Sequence, residues 1–178
     1  MRIVAGSFKG RRLRVPRGDG VRPTADRVRE SLFGLLADVE GARVLDPFCG
    51  SGALGLEALS RGAAACLFAD VAAAHLACAR GNAEALEVAD RCRFVRADVR
   101  RLLHEEFAAG RQYDLVLLDP PYHALPGLLT GLRELVPPVT ADGGRVVLEA
   151  PFGVTPALFD APVDVRRYGT TELHLYTP

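Results

Sequence analysis

No run of apolar residues in this chain approaches the ~20 needed to cross a bilayer as a helix, and the N-terminus lacks the charged-then-apolar plan of a secretory signal. No membrane association is expected, and a cytoplasmic location is. Cysteine is scarce. Cys49, Cys66, Cys78 and Cys92 lie 17, 12 and 14 residues apart with no CxxC pair, and His75, His104, His123 and His174 are equally scattered. That spacing argues against a structural metal site, so the cysteines read as reduced, mostly buried thiols and no metal is expected. Internal repeats, low-complexity tracts and linkers long enough to separate a second globular domain are also absent. Lysine is nearly missing, with Lys9 the one lysine among 22 basic residues, a bias from which no mechanism follows.

The formal net charge is zero, which by itself speaks against a polyanionic partner. The distribution says otherwise. Residues 1–30 hold nine basic side chains against three acidic ones, a balance of +6, so the remaining 148 residues carry −6. A basic N-terminal block on an acidic body is an electrostatic footprint for binding a polyanion. With 49% apolar and 25% charged residues over 178 positions, the rest is one ordinary globular domain. The division expected is a basic arm over 1–22 and a larger domain over 23–178.

Residues 2–16 read as a short β-hairpin or extended arm, because Arg2-Ile3-Val4-Ala5 and Arg12-Leu13-Arg14-Val15 flank a turn-prone Gly6 to Gly10. A Gly/Pro/Asp loop follows over 16–23. Pro23 biases Arg22 toward an extended conformation, and Thr24 is then a good cap for a helix over 25–38. Val28, Leu32, Leu35, Leu36 and Val39 form one helical stripe, leaving Asp26, Arg27 and Glu30 off the buried face. From residue 42 the pattern alternates. Strands are expected at 43–47, 64–70, 92–97, 113–119 and 144–150, with helices near 53–61, 72–88, 99–109 and 124–136. The solid apolar run Leu115 to Leu118 suits a strand covered on both faces, and strict alternation implies a doubly wound, mostly parallel α/β sheet with right-handed crossovers. The tail breaks the rule: 163–168 and 172–177 look like an antiparallel hairpin turning at Gly169-Thr170-Thr171.

The first strand runs into Asp46-Pro47-Phe48-Cys49-Gly50-Ser51-Gly52-Ala53-Leu54-Gly55. Glycines are needed where a turn is tight and a ligand approaches bare backbone at a helix N-terminus. Gly50, Gly52 and Gly55 satisfy GxGxxG, and Asp70, 20 residues past Gly50, could accept from a ribose diol. That is equally the fingerprint of a dinucleotide site. The motif alone leaves a dinucleotide, S-adenosylmethionine and a merely structural turn open. Three features favour S-adenosylmethionine. Asp46 places a carboxylate where a pyrophosphate would sit, an anion that repels phosphate but pairs with an ammonium group. Asp98 ends the third strand and suits an adenine amino group. And 178 residues leave no room for the substrate domain of most dehydrogenases. Phe48 and Ser51, within the turn, complete the expected cofactor set with Thr24.

Asp119-Pro120-Pro121-Tyr122 closes the fourth strand, at the carboxyl edge where open α/β sheets bind ligands. Alone, a Pro-Pro after a strand is more often just a turn. With the glycine motif and the acids ending neighbouring strands, it reads as the site of methyl transfer to nitrogen. The exocyclic amine of a base is a poor nucleophile because its lone pair is delocalised. A carboxylate and a backbone carbonyl accepting its two N–H groups would orient it and favour positive charge building on nitrogen. Prolines fix the carbonyl's direction, and the tyrosine ring offers a stacking face to an extruded base.

These residues resemble the bacterial small-subunit rRNA guanine-N2 methyltransferases of the RsmD family, over nearly the whole length. The likeness is carried by Arg2 to Gly6 with Lys9-Gly10-Arg11-Arg12-Leu13, by Arg22-Pro23-Thr24 through Phe33, by Asp46 through Gly62, and by Asp119 to Tyr122. The Arg-Pro-Thr and Gly-Ser-Gly-Ala-Leu-Gly blocks are specific, whereas Asp-Pro-Pro-Tyr is shared by many amino-methyltransferases. The resemblance implies a Rossmann-like class I methyltransferase fold with seven strands and a small N-terminal hairpin that grips RNA. It implies S-adenosylmethionine as cofactor and 16S rRNA, in an assembled or assembling small subunit, as partner; a monomer is expected. It places Asp46, Gly50, Gly52, Asp70, Asp98 and Asp119 in the site, while the charge of the arm sets Lys9, Arg11, Arg12, Arg14 and Arg22 against RNA phosphates, with Phe8 at the hairpin tip either stacking on a base or packing on the domain. Two positions depart from the family pattern: Asp70 stands for a glutamate one methylene longer, and Cys49 for an alanine. The rivals are an N6-adenine or glutamine methyltransferase with the same tetrapeptide, and a non-enzymatic RNA-binding assembly module, which would not need an intact Asp119.

Overall fold

A computed structural model describes residues 1–16, 26–36, 38–154, 156 and 158–178. Arg22, Thr24 and the expected boundary between arm and domain lie outside them. Five strands run parallel: β1 (Arg43–Asp46), β2 (Ala65–Asp70), β3 (Cys92–Arg96), β4 (Tyr113–Leu118) and β5 (Thr140–Pro151). Two more, β6 (Asp164–Tyr168) and β7 (Thr171–Tyr176), complete a seven-stranded sheet of order β3-β2-β1-β4-β5-β7-β6. β7 lies antiparallel between β5 and β6, so the expected terminal hairpin extends the sheet beyond β5, with β6 at the edge and the turn at Gly169. The helices are α1 (Asp26–Leu35), α2 (Ala53–Ser60), α3 (Ala73–Ala85), α4 (Val99–Ala108) and α5 (Leu125–Leu135).

Each central strand is apolar on both sides because both sides are covered. Val44, Phe68, Leu115 and Val147 pack in one core with α1, α2 and α3, while Leu45, Leu67, Val116 and Leu148 pack in the other with α4 and α5. Gly55 explains how closely α2 approaches the sheet: a Cβ there would lie 2.4 Å from the Phe68 ring and 2.6 Å from the Cys66 sulfur. The chain winds outward from β1 to β3, then returns to β4 on the other side of β1. The crevice that binds ligands in such sheets therefore opens at the carboxyl ends of β1 and β4, where the glycine turn and the Asp-Pro-Pro-Tyr segment both begin.

Three local departures have physical causes. β5 starts at Thr140, earlier than residue 144, because Thr140 pairs with Tyr113 before a register shift that resumes at Leu115 and Arg145; Gly143, at φ 71°, lies in the extra segment. The N-terminal segment reverses as a hairpin, yet its regular pairing is a single bridge between Arg2 and Arg12. Ile3, Gly10 and Leu13 donate across the turn to the Arg11, Ile3 and Met1 carbonyls, whereas Val4 and Ala5 donate to the Glu57 carboxylate at 2.8 and 2.9 Å and Phe8 donates to Ser60 Oγ. Ile3 and Leu13 are buried in the same core as α1 and α2, so this segment is packed onto the domain. α1 ends at Leu35, short of the expected 38; of the expected stripe Val28, Leu32, Leu36 and Val39 are buried and Leu35 is half-buried, and Arg29 is buried too, at 0% exposure. Its guanidinium donates to Asp26 and to the Arg2 carbonyl, which gives a buried charge the partners it needs.

Candidate functional site

Gly50 and Gly52 hold φ of 53° and 79°, the left-handed region that L side chains rarely adopt. Around them the turn is closed by backbone bonds: Cys49 N–H to the Ala69 carbonyl at 2.9 Å and Gly52 N–H to the Cys49 carbonyl at 2.6 Å. A side chain at Gly50 would meet nothing within 4 Å, so a ligand has an open approach to bare backbone there. Ser51 and Cys49 are buried, and burial pushes the Cys49 thiol far up, leaving it protonated and inert at neutral pH. Phe48 is half-buried against the α4–α5 core.

Asp46 is 1% exposed. Its Oδ2 accepts the Gly55 N–H at 3.1 Å, while Oδ1 has no hydrogen-bond partner. Burial pushes its pKa up to about 8 against the pull of the Gly55 and Phe48 amides, and the neighbouring charges of Asp119 and Asp70 add to the rise. A buried carboxylate oxygen with no donor, beside two further acids, is a place for a cation. Asp70 is more committed than its sequence position implies. Oδ2 accepts the Gly50 N–H at 3.1 Å and Oδ1 the Ala72 N–H at 2.8 Å, and His75 Nδ1 lies 3.0 Å from Oδ2. A ribose hydroxyl at Asp70 would share Oδ1 or displace His75. His75 carries no functional signal in the sequence beyond its place in the first turn of α3, five residues after Asp70. Asp98 is exposed at the end of β3 and caps α4 by accepting the Arg100 N–H at 2.9 Å.

On the other side of the crevice, Asp119 is half-buried and Pro120 buried. The Pro121 carbonyl accepts Ala124 N–H at 2.8 Å and Leu125 N–H at 3.2 Å, which starts α5. Tyr122 is half-buried. Its hydroxyl lies 2.7 Å from Thr171 Oγ1 and donates to Glu149 Oε1 at 3.2 Å, and burial leads the rise in its pKa. Glu149, 8% exposed on β5, and Thr171, at the start of β7, are not among the residues expected from the sequence. They fix the direction of the tyrosine ring.

Of the arm residues expected to meet RNA, Lys9, Arg12 and Arg14 expose their side chains. Arg11 is exposed too, but donates to the Ala85 carbonyl at the end of α3. Phe8 is half-buried and packs on the core, the packing alternative to a stacking contact. Among the described residues no three of His, Cys, Asp and Glu gather as metal ligands, and no helix is long and apolar enough to cross a membrane.

The family model described as conserved hypothetical protein 95 matches residues 1–177. The ribosomal RNA small subunit methyltransferase D of Escherichia coli K12 is 39% identical over 151 residues, covering 84% of this chain and 71% of that protein. The protein of the same description from Haemophilus influenzae is 38% identical over 128 residues, 69% of this chain and 64% of its own. Among solved structures, Escherichia coli yhhF superposes with a TM-score of 0.82 at 34% identity, covering 99% of this chain and 96% of that one. A hypothetical protein of Thermus thermophilus gives 0.84 at 29% identity, covering 100% and 99%.

Proposed function

The chain belongs to the RsmD family, whose curated members are ribosomal RNA small subunit methyltransferases, and on that footing we propose that it methylates the exocyclic N2 amine of a guanine in 16S rRNA, in an assembled or assembling small subunit. S-adenosylmethionine supplies an electrophilic methyl group. The observation that carries the reading is Asp46: a buried carboxylate oxygen lacking a donor, at the end of the strand beside the one that ends in Asp119-Pro120-Pro121-Tyr122. A site that needs a cation adjoins a site shaped to orient an amine.

Asp46 receives the ammonium group of the cofactor, Gly50, Ser51 and Gly52 present their backbone to it, and Asp70 with Asp98 take its ribose and adenine. Phe48 completes the wall. Asp119 and the Pro120 carbonyl accept the two N–H groups of the target amine; the Pro121 carbonyl is already engaged with α5. Holding both N–H groups fixes the nitrogen lone pair and stabilises the charge that grows on nitrogen. Tyr122, steadied by Glu149 and Thr171, stacks on the base. Lys9, Arg12 and Arg14, with Arg11 in the same arm, meet the RNA around the target.

The test is transfer of tritiated methyl from S-adenosylmethionine to total RNA, DNA and protein of a strain lacking the gene. Label in small-subunit rRNA, recovered as N2-methylguanosine after digestion, is expected. Label in N6-methyladenosine or in protein would replace this substrate with one of its rivals, and none in any fraction would leave a binding module.

A further inference from the structure

The strongest tie between the N-terminal arm and the glycine turn is one side chain. Asn82, on α3, is 2% exposed. Its Oδ1 accepts the Arg14 N–H at 2.8 Å, and its Nδ2 donates to the Arg14 carbonyl at 2.9 Å and to the Ser51 carbonyl at 2.9 Å. An amide has two N–H donors and one acceptor oxygen, so both donors are used. Flipping the amide would set N–H against N–H and oxygen against two carbonyls, so this pattern admits one orientation. The exchange with Arg14 imitates a backbone bridge, and the bond to Ser51 holds the peptide between Gly50 and Gly52. That same peptide's N–H, on Gly52, is taken by the Cys49 carbonyl. The position of the arm and the geometry of the turn are therefore set together.

Resting on the function proposed above, we infer that Asn82 couples the two binding events: RNA seated on the arm and cofactor seated on the turn each strengthen the other's binding. Arg14 presents its side chain to solvent, while its backbone is the part Asn82 grips. Phosphate contacts at Arg12 and Arg14 hold the arm still, and an arm held still keeps Asn82 on the Ser51 carbonyl. The turn is then ordered before the cofactor arrives, so the entropy of ordering is shared by the two ligands. Met1 also reaches the turn, its sulfur accepting the Ser51 hydroxyl at 3.8 Å, but that bond is weak and leaves the Ser51 peptide unheld; Glu57 and Ser60 fasten Val4, Ala5, Ser7 and Phe8 to the middle and end of α2. Asn82 touches neither ligand and is a positioning residue.

The test is a thermodynamic cycle on the full chain. The Kd for S-adenosylhomocysteine is measured with and without saturating unmodified 16S rRNA transcribed in vitro, and the Kd for that RNA with and without saturating S-adenosylhomocysteine. Linkage requires the two ratios to agree, and in the wild type each is expected at about 5-fold or more. In Asn82→Ala both ratios fall to about one. Asn82→Asp behaves alike, because a carboxylate keeps an acceptor for the Arg14 N–H but turns oxygen toward the two carbonyls. Arg12→Ala, which removes one of the two phosphate contacts and leaves Asn82 in place, weakens RNA binding and lowers the ratio without abolishing it. A residue of merely structural importance would lower each affinity equally whether or not the other ligand is bound, leaving the ratio unmoved. A wild-type ratio of one, with both ligands bound, overturns the coupling without needing any variant, and an undiminished ratio in folded Asn82→Asp overturns the role of Asn82. Absence of S-adenosylhomocysteine binding in the wild type is a different failure, that of the methyltransferase reading itself.

Discussion

The two sides of the crevice hold their functional groups by different means. On the β1–β2 side, carboxylates are set by backbone amides close along the chain: Gly55 is nine residues from Asp46, Ala72 two and Gly50 twenty from Asp70. On the β4–β5–β7 side, Tyr122 is set by side chains 27 and 49 residues away, Glu149 and Thr171. The first side is mainly a property of a turn and two strand ends, in which small residues and short acids set the carboxylates, braced from α3 by His75 on Asp70 and Asn82 on Ser51. The second exists only once β5 and β7 lie side by side, with Glu149 opposite Leu173. The cofactor side is thus built locally and the acceptor side by the tertiary fold, which makes them separable by substitution.

Asp119→Ala breaks the acceptor side hardest. It removes the acceptor that orients the amine, and the expected loss in kcat is about 100–1,000-fold, the scale of deleting one group that stabilises developing charge. The Kd for S-adenosylhomocysteine should stay close to the wild-type value in calorimetry. Loss of cofactor binding along with turnover would show that the two sides are one unit.

Asp46→Asn breaks the cofactor side. Losing the charge opposite an ammonium group should cost about 1.5–3 kcal/mol of cofactor affinity, with the acceptor side intact. The pH dependence sharpens the point. Asp46 has its pKa pushed up to about 8, and only its ionised form attracts the cation, so wild-type affinity should climb as pH rises toward 8 and level off above it. Stability runs the other way. The folded protein without cofactor keeps this proton up to about pH 8, whereas an unfolded aspartate releases it near 3.8. Asp46 therefore draws stability down as pH rises from about 4 to about 8. The substitution Asp46→Asn should flatten both profiles relative to wild type, seen by calorimetry and by thermal unfolding at a series of pH values.

A smaller effect is expected for Tyr122→Phe. The ring remains to stack on a base, but its tie to Glu149 and Thr171 is gone. About 1 kcal/mol of turnover, near 5-fold, is the scale of one neutral hydrogen bond. The loss should appear in kcat with an unchanged Kd for S-adenosylhomocysteine. Turnover identical to wild type would mean that the distant side chains do not hold the ring in place for the reaction.

The same contrast explains what is legible in the sequence. Strands β1 to β4 and helices α2 to α5 follow from the sequence because each carries either an apolar run or an apolar stripe at its own spacing. Asp46, Gly50, Gly52, Asp70 and Asp119 stand at the strand ends where spacing puts them. Glu149 is not legible, since an acid near the end of a buried strand has meaning only beside Tyr122. Nor is Arg29, buried because Asp26 and the Arg2 carbonyl converge on it, nor Asn82, whose three partners come from Arg14 and Ser51. His75 is one of four scattered histidines in the sequence, and its contact with Asp70 depends on how α3 leaves β2. Side chains that join distant segments carry no periodic signature.

The arm tests the comparison from outside the crevice, with the smallest effect. It is basic, yet its basic residues are not equivalent. Arg11 is engaged with the Ala85 carbonyl, and Arg2 with Asp26 at 3.1 Å, while Lys9, Arg12 and Arg14 are exposed. A phosphate contact contributes about 0.7–0.9 log units of affinity per tenfold change in salt, so replacing Arg12 and Arg14 together by alanine should lower the slope by about two contacts. Adding Arg11→Ala should lower it less than either of the others did, because that guanidinium already has an acceptor. The Asn82 bonds reach the Arg14 backbone and not its side chain, so cofactor affinity without RNA should not change. RNA affinity measured at several salt concentrations decides it. An unchanged slope would place the phosphate-binding surface elsewhere and leave the arm with a structural role alone, that of covering α2 and bracing the turn.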